Sequence, residues 1–388
     1  MDYIDRLVLT IVLPQIGKEF MLSNTQKGLL VSAFFLAYAL AQIPGGVLTD
    51  RVGGRKIAGI AMLSWSAFTA FTGMVHSYGL LLAVRVLFGV AQAPFPAAAT
   101  KILAERTTPD QRMSAQGIVT SSNGIGALIG YLTVPPLVVV LGWRGTFICM
   151  AVLGAVCFLL LFVLPRSIQS EPTAEPAEPA EPARERMELR RLLKNRSLLT
   201  FAAMFFGSSL ISWGVVSWMP SYLQDVRGVA LGTSAVLLAL PALAIAIGTY
   251  VGGRLTDRLG GATARIVTPA MVASLASIVV MATTESLAVF VILECIAVFG
   301  CGVCIVPVVS VPLKALPTEM SGTAFSIVNF GGQMAGVVAP LAMGMLLDAF
   351  GYTAAFLFLA VGAALAAVLA VVAPQTVEAF DRRAQTAQ

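Results

Sequence analysis

The chain has 388 residues, of which 57% are hydrophobic and only 12% charged, with a mean hydropathy of +0.86 and a formal net charge of +5. Soluble domains carry about 25% charged residues, so this chain lacks the charge needed to cover a water-facing surface of its size. The positive balance sits in short loops rather than in a basic face, which argues against nucleic acid as a partner. The chain reads as a polytopic membrane protein. It is expected to be all-α, because backbone in contact with lipid must satisfy its own hydrogen bonds.

Runs of about 20 apolar residues can cross the bilayer core as helices. In chain order the predicted spans cover 3–18, 27–48, 57–75, 79–103, 114–140 and 144–164. A second set covers 198–223, 231–253, 264–283, 286–309, 320–347 and 353–373. Between the sets lies SIQSEPTAEPAEPAEPARERMELRRLLKNRS. Its Glu-Pro-Ala repeats favour extended chain, and its basic end is expected to lie on the membrane as a short amphipathic helix. The predicted organisation is an N-terminal six-helix half over 1–164, a linker over 165–196, a C-terminal six-helix half over 197–373 and a tail over 374–388.

Loops on one side, with the linker and the tail, hold 19 of the 25 Lys and Arg residues. The opposite loops hold only Lys18, Lys27, Arg144 and Arg227. Basic residues mark the cytoplasmic side, so both termini and the linker are predicted to be cytoplasmic. No cleavable signal peptide is recognisable at the N-terminus. The five cysteines lie in apolar runs. Cys301-Gly-Val-Cys304, in a chain with one histidine (His76, in an outer loop), points to helix packing rather than a metal or redox site.

The halves repeat. PGGVLTDRVGGRK (44–56) ends the second span and VGGRLTDRLGG (251–261) ends the eighth. Glycines at such a place permit a tight turn, and Asp50 or Asp257 can pair with an arginine or a helix N-terminus. Together with Arg51 and Arg258 they are the expected latch residues. This motif pair, RVLFGVAQAPFPAA (85–98) in span four and GWRGTF (142–147) at the start of span six resemble the major facilitator superfamily over the whole chain. YIDR in span one, SWMPSYLQDVRG (217–228) and GTAFSIVNFGGQMAGVVAPLAMGMLLDAFG (322–351) are similar to its anion:cation symporter family. The resemblance implies two pseudo-symmetric six-helix halves that alternate access to a cavity between them. Relatives carry roughly ten apolar residues ahead of the Tyr-x-Asp-Arg stretch, so the first helix is expected to be truncated at its N-terminus. A start codon assigned too far downstream is the first explanation, and a short first helix the second.

Four ionisable residues have no loop explanation: Asp5 and Arg6 in span one, Arg85 in span four and Glu294 in span ten. A charge at membrane depth costs on the order of 2.5–3.5 kcal/mol even on lenient scales and usually marks a transport path. Arg85 cannot carry a proton, being always charged. It can tune a carboxyl that does, and the resemblance ties the matching arginine to proton coupling. Asp5 is the expected proton carrier, since apolar surroundings favour an acid's protonated form and a nearby cation its ionised form; a permanent ion pair is the competing reading. The resemblance gives Arg6 the substrate carboxylate, held by its planar donor fork, with Tyr3 and Tyr38 lining the same cavity. It also implies a glutamate seven residues after Arg85, where this chain has Gln92, which bonds but does not titrate. Glu294, in the repeat counterpart of span four, is the candidate replacement. Asn123, Asn329 and Gln333 are uncharged cavity candidates, with helix-to-helix bonding as the competing use. Gly126 and Gly130 read as close helix packing. Trp213 reads as cavity wall or interfacial belt, and Trp218 and Tyr222 as belt.

No phosphate-binding loop of the G-x-x-x-x-G-K-[ST] kind is present, and no constellation of nucleophile, base and metal. The expectation is a monomeric secondary transporter in the cytoplasmic membrane, not an enzyme and without a cofactor. It is expected to carry a small organic anion, such as a carboxylate or sugar acid, together with protons. Efflux of drugs or amphipathic lipids is the alternative within transport, and a non-transporting sensor is the alternative outside it.

Overall fold

A computed structural model of the protein describes residues 1–107, 109–163, 192, 194–260, 262–316 and 318–375. The Glu-Pro-Ala stretch and most of the basic linker expected over 165–196, and the tail beyond 375, lie outside them. The elements are α1 (Asp2–Glu19), α2 (Asn24–Val52), α3 (Gly54–Met74), α4 (Tyr78–Gln92), α5 (Phe95–Arg106) and α6 (Pro109–Val163). After the linker come α7 (Arg196–Ser221) with a π-turn (Tyr222–Val226), α8 (Leu231–Arg258), α9 (Thr263–Thr283), α10 (Leu287–Ala315) and α11 (Thr318–Val372). No strand occurs among the described residues.

Nine stretches of helix among the described residues are long and apolar enough to cross a membrane. Two of them, Ser122–Leu161 and Thr323–Val372, run to 40 and 50 residues, twice what one crossing needs. Each breaks at a glycine in left-handed conformation, Gly142 (φ 66°) and Gly351 (φ 78°). A residue with a Cβ is strained at such an angle, so these glycines divide each long helix into the two spans expected there. The predicted span 79–103 is divided as well: α4 gives way to α5 around Pro94, because a proline cannot donate to the helix behind it. The second span starts where the sequence supplies a capping box. Gln26 N–H donates to Ser23 Oγ (3.2 Å) and Ser23 N–H to Gln26 Oε1 (2.9 Å).

The chain divides into two compact units, Met1–Glu175 with Trp218–Ala239, and Pro176–Ser217 with Leu240–Gln388. Within the first, α3 packs on α4, α5 and α6, while α1 lies against α6 and α2. Gly126 and Gly130 of α6 face Tyr3, Ile4 and Leu7 of α1, but a Cβ on either would make only ordinary van der Waals contact, so the close approach expected at these glycines is not required here. Trp218 and Tyr222 are buried in this unit, which corrects their assignment to a lipid-facing belt. Protein covers both rings, and Arg227 Nε donates to the Tyr222 hydroxyl (2.8 Å). Within the second unit, α9 packs on α10 and α11.

The duplication shows in small devices that recur in both units. Thr49 Oγ1 donates to Gly45 O (2.8 Å) in one, and Thr256 Oγ1 to Gly252 O (2.7 Å) in the other. Both hydroxyls are thereby satisfied inside their own helix, where lipid offers no partner. Helices approach at glycines, as expected where association rests on van der Waals packing rather than on expulsion of water. A Cβ on Gly302 of α10 would strike the Ile245 carbonyl of α8, whereas one on Gly46 of α2 would meet nothing within 4 Å.

The far end of α1 is clamped to the start of the sixth span. Glu19 accepts from the Arg144 guanidinium (2.6 Å) and from Trp143 Nε1 (2.8 Å), and Arg144 also donates to Val75 O (3.1 Å). The guanidinium lies over the Trp143 ring, 4.1 Å from its centroid. The hydrogen bond from Arg144 is the main reason that the Glu19 carboxyl is held below its ordinary value of 4.5.

Two outcomes are expected. Gly302→Val should lower the midpoint of thermal unfolding in detergent through an overpacking cost of about 1–3 kcal/mol, while Gly46→Ala should leave it unchanged or slightly raised. A depressed carboxyl contributes stability above its unfolded value that is lost as pH falls through the folded one. The unfolding midpoints of the wild type and Glu19→Gln should therefore differ near neutrality and converge below about pH 4.5.

Candidate functional site

Adjacent residues on a helix point about 100° apart, so Asp5 and Arg6 serve different neighbours. Arg6 turns toward α2 and α4. Its Nε donates to Gln92 Oε1 (2.9 Å) and one terminal nitrogen to Asp2 Oδ1 (3.2 Å). Its guanidinium carbon lies 4.5 Å from the Tyr38 ring centroid and 5.4 Å from that of Phe34. The Gln92 amide is fully buried, and its nitrogen donates to the Asp2 carbonyl (3.3 Å). Gln92 therefore orients Arg6 with one end of its amide and holds the α1 backbone with the other. Tyr3 and Tyr38 both interact electrostatically with Arg6. The structure thus brings Tyr3, Arg6, Tyr38 and Gln92 together.

Asp5 turns the other way. It is 3% exposed, and its Oδ1 is buried without a hydrogen-bond partner among the described residues. It interacts electrostatically with Arg85 of α4, and the Trp65 indole lies beside it without closing a well-formed hydrogen bond. Arg85 is buried as well. One terminal nitrogen donates to Thr72 Oγ1 of α3 (2.5 Å), and its guanidinium carbon sits 4.9 Å from the Phe88 ring centroid and 5.4 Å from that of Phe147. Aromatic faces stabilise such a cation without neutralising it. Arg85 thus stays charged within range of a carboxyl to which it makes no direct ion pair.

In the second unit, Glu294 is 1% exposed, and neither carboxyl oxygen has a hydrogen-bond partner among the described residues. Asn329 and Gln333 stand half-buried one turn apart on α11. Gln333 Oε1 likewise lacks a partner among the described residues. Beside them on that helix, Gly332 packs against the Phe205 ring and the Ser209 hydroxyl of α7. No hydrogen bond among the described residues joins Glu294 to this pair. In the first unit, Asn123 is exposed on α6, and the groups that hold Arg6 do not include it.

Of the latch residues, Asp50 faces Lys101 of α5 (3.7 Å), and the Lys101 ammonium also bonds the carbonyls of Thr49 (3.3 Å) and Asp50 (3.0 Å). The lysine neutralises the carbonyl end of α2, a favoured place for a cation. Arg51, Asp257 and Arg258 are exposed, and no ion pair to them is found among the described residues.

Several residues of these clusters were not foreseen. Asp2 was legible, four residues before Arg6 on the same helix, a spacing at which opposite charges meet. Phe34 precedes Tyr38 by the same interval. Trp65 and Thr72 gave no signal, since their role depends on how α3 packs against α1 and α4. A third cluster at the far end of α1 was also missed. There Lys18 and Lys27 approach Asp225 of the π-turn at 3.3 and 3.9 Å, and the Lys27 stem crosses Gly17 closely enough that a Cβ there would collide with it.

The sequence profile described as Major Facilitator Superfamily matches residues 1–340. A hexuronate transporter of Bacillus subtilis (strain 168) is 30% identical over 68% of this chain, and the match spans 63% of that relative's own length. A probable sulfoacetate transporter of Cupriavidus necator is 30% identical over 90% of this chain and 85% of its own. Among solved structures, an inward-facing, unoccupied bacterial homologue of the human lysosomal transporter Spinster superposes with a TM-score of 0.80. It covers 99% of this chain and 94% of its own at 20% identity, so the likeness is one of fold.

Losing the guanidinium removes charged hydrogen bonds worth about 1.5–3 kcal/mol. Arg6→Gln should weaken binding of a small organic carboxylate by about 10-fold or more. Arg6→Lys should recover little of it, because an ammonium cannot reproduce the planar fork. Equilibrium binding to the purified protein measures both.

Proposed function

The chain belongs to the Major Facilitator Superfamily, and from that premise we propose that it is a secondary active transporter for a small organic anion. Transport is driven by protons and proceeds by alternating access. The observation that carries this reading is Arg6, a buried guanidinium on a membrane-spanning helix. Gln92 and the rings of Tyr38 and Phe34 orient it, and among the described residues its counter-charge comes from its own helix alone. A fork held in this way suits a carboxylate or a sulfonate, the groups borne by the hexuronates and sulfoacetate that the similar proteins are named for.

Asp5 is the proposed proton carrier and Arg85 the fixed cation that biases it. Any change in the distance between them shifts the balance between the protonated and the ionised acid. Glu294 is the proposed second coupling group, in the half where no buried arginine balances it among the described residues. Asn329, Gln333 and Asn123 would contribute neutral hydrogen bonds to the substrate, and Tyr3 its hydroxyl. The six-helix halves 1–164 and 197–373 would rock about the site, joined by the linker 165–196. Asp50, Arg51, Asp257 and Arg258 would restrain the cytoplasmic ends of α2 and α8. The distribution of Lys and Arg supports cytoplasmic termini in the inner membrane, and a monomer is the expected working unit.

Proteoliposomes holding the full chain test this reading. A pH gradient, acidic outside, should drive accumulation of labelled D-glucuronate or sulfoacetate and lose that effect when an ionophore collapses it. Asp5→Asn should abolish gradient-driven accumulation while retaining exchange of internal for external substrate. Uptake indifferent to the gradient, or an Asp5→Asn protein that still concentrates substrate, would end the coupling claim.

A further inference from the structure

We propose that Asp2 is a built-in competitor for the substrate: its carboxylate neutralises Arg6 in the empty protein and is exchanged for the acidic group of the incoming anion. The inference rests on the anion-binding reading of Arg6 and adds a residue and a specificity rule to it.

The starting point is the charge balance around the guanidinium. Gln92, Tyr38 and Phe34 orient Arg6 but carry no charge. Among the described residues, the one carboxylate within ion-pair distance of Arg6 is Asp2, at 3.2 Å. The Arg6 side chain is 9% exposed and that of Asp2 19%. A buried guanidinium without a counter-ion is strongly destabilising, so the empty site needs Asp2. An anion that bound beside Asp2 would place two acidic groups against one cation and meet like-charge repulsion. An anion that replaces Asp2 leaves the charge balance unchanged.

The geometry favours exchange. The ion pair joins one oxygen of Asp2 to one nitrogen of Arg6, at the long end of the hydrogen-bond range. A free carboxylate or sulfonate can offer two oxygens to the fork, the stronger arrangement. Asp2 is the less buried partner of the pair and is tied to Arg6 through one oxygen alone, so its carboxylate can turn away from the guanidinium once displaced. The backbone does not have to follow, because the Asp2 carbonyl is held independently by the Gln92 amide (3.3 Å).

Selectivity follows from the same arrangement. A neutral polyol has no charge with which to replace Asp2, so the Arg6–Asp2 pair stays closed to it. Asp2 therefore competes with anions, and an uncharged sugar of the same size gains no ion pair from its removal.

The test compares equilibrium binding of D-glucuronate, sulfoacetate and the uncharged D-glucose to the purified full chain. Wild type, Asp2→Asn, Asp2→Glu and Arg6→Gln are compared, with thermal unfolding confirming that each is folded. Removing the competitor should tighten anion binding in Asp2→Asn by about 3- to 10-fold, the range of a modest ion pair, while binding of D-glucose should change much less. Asp2→Glu, which keeps the charge, should stay near the wild type. Should Asp2 serve only to position Arg6, Asp2→Asn would instead bind anions equally or more weakly, and the inference is overturned while Arg6 keeps its role. A failure of the premise looks different: if Arg6→Gln binds anions as the wild type does, or the wild type binds neither anion, the anion reading itself falls and this inference with it.

Discussion

A guanidinium enclosed by helices that face lipid must be held on every side, and the first unit is organised around meeting that demand at Arg6. Its charge is balanced from its own helix by Asp2, its orientation is set from α4 by Gln92, and its faces are covered from α2 by Tyr38 and Phe34. Removing any of these would leave a polar or charged group in surroundings that offer no water to replace it. The three helices are therefore bound to one another through a single side chain as well as through apolar packing.

Arg85 meets the same demand differently. Two aromatic rings and the Thr72 hydroxyl surround it, and the nearby carboxyl of Asp5 is kept off direct contact. One arginine is thus paired with a carboxylate of its own helix, and the other is surrounded by neutral groups while a nearby carboxyl stays out of direct contact. Because Asp5 and Arg6 are consecutive on α1, these environments are two sides of one helix. A movement of α1 acts on both, the feature that would link anion binding to proton binding in the proposed cycle.

The two units share backbone devices and differ in chemistry. Gly142 and Gly351 break equivalent long helices, and Thr49 and Thr256 return their hydroxyls to equivalent glycines. Yet buried arginine occurs only in the first unit among the described residues, while the second holds a buried glutamate and neutral amides. Packing rules that depend on glycine and on local hydrogen bonds survive a duplication, because each half needs them to fold. Buried charges are not needed for that packing and are free to diverge.

How far the sequence alone determined the protein follows from which interactions are local. The spans were legible because lipid demands about 20 apolar residues per crossing. The breaks at Gly142 and Gly351 fell where two predicted spans met, and the capping box at Ser23 is a four-residue pattern. Arg6, Asp5, Arg85 and Glu294 stood out because ionisable groups are rare at membrane depth. Asp2 was equally accessible as the i−4 neighbour of Arg6. What the tertiary structure alone decided is which groups meet: that Gln92 bonds Arg6, that Trp65 and Thr72 attend Asp5 and Arg85, that Asp225 pairs with Lys18 and Lys27, and that Trp218 and Tyr222 are covered by protein rather than lipid. These contacts join residues far apart in the chain. They depend on the rotation and depth of each helix in its bundle, which a hydropathy pattern without a strong polar face leaves undetermined.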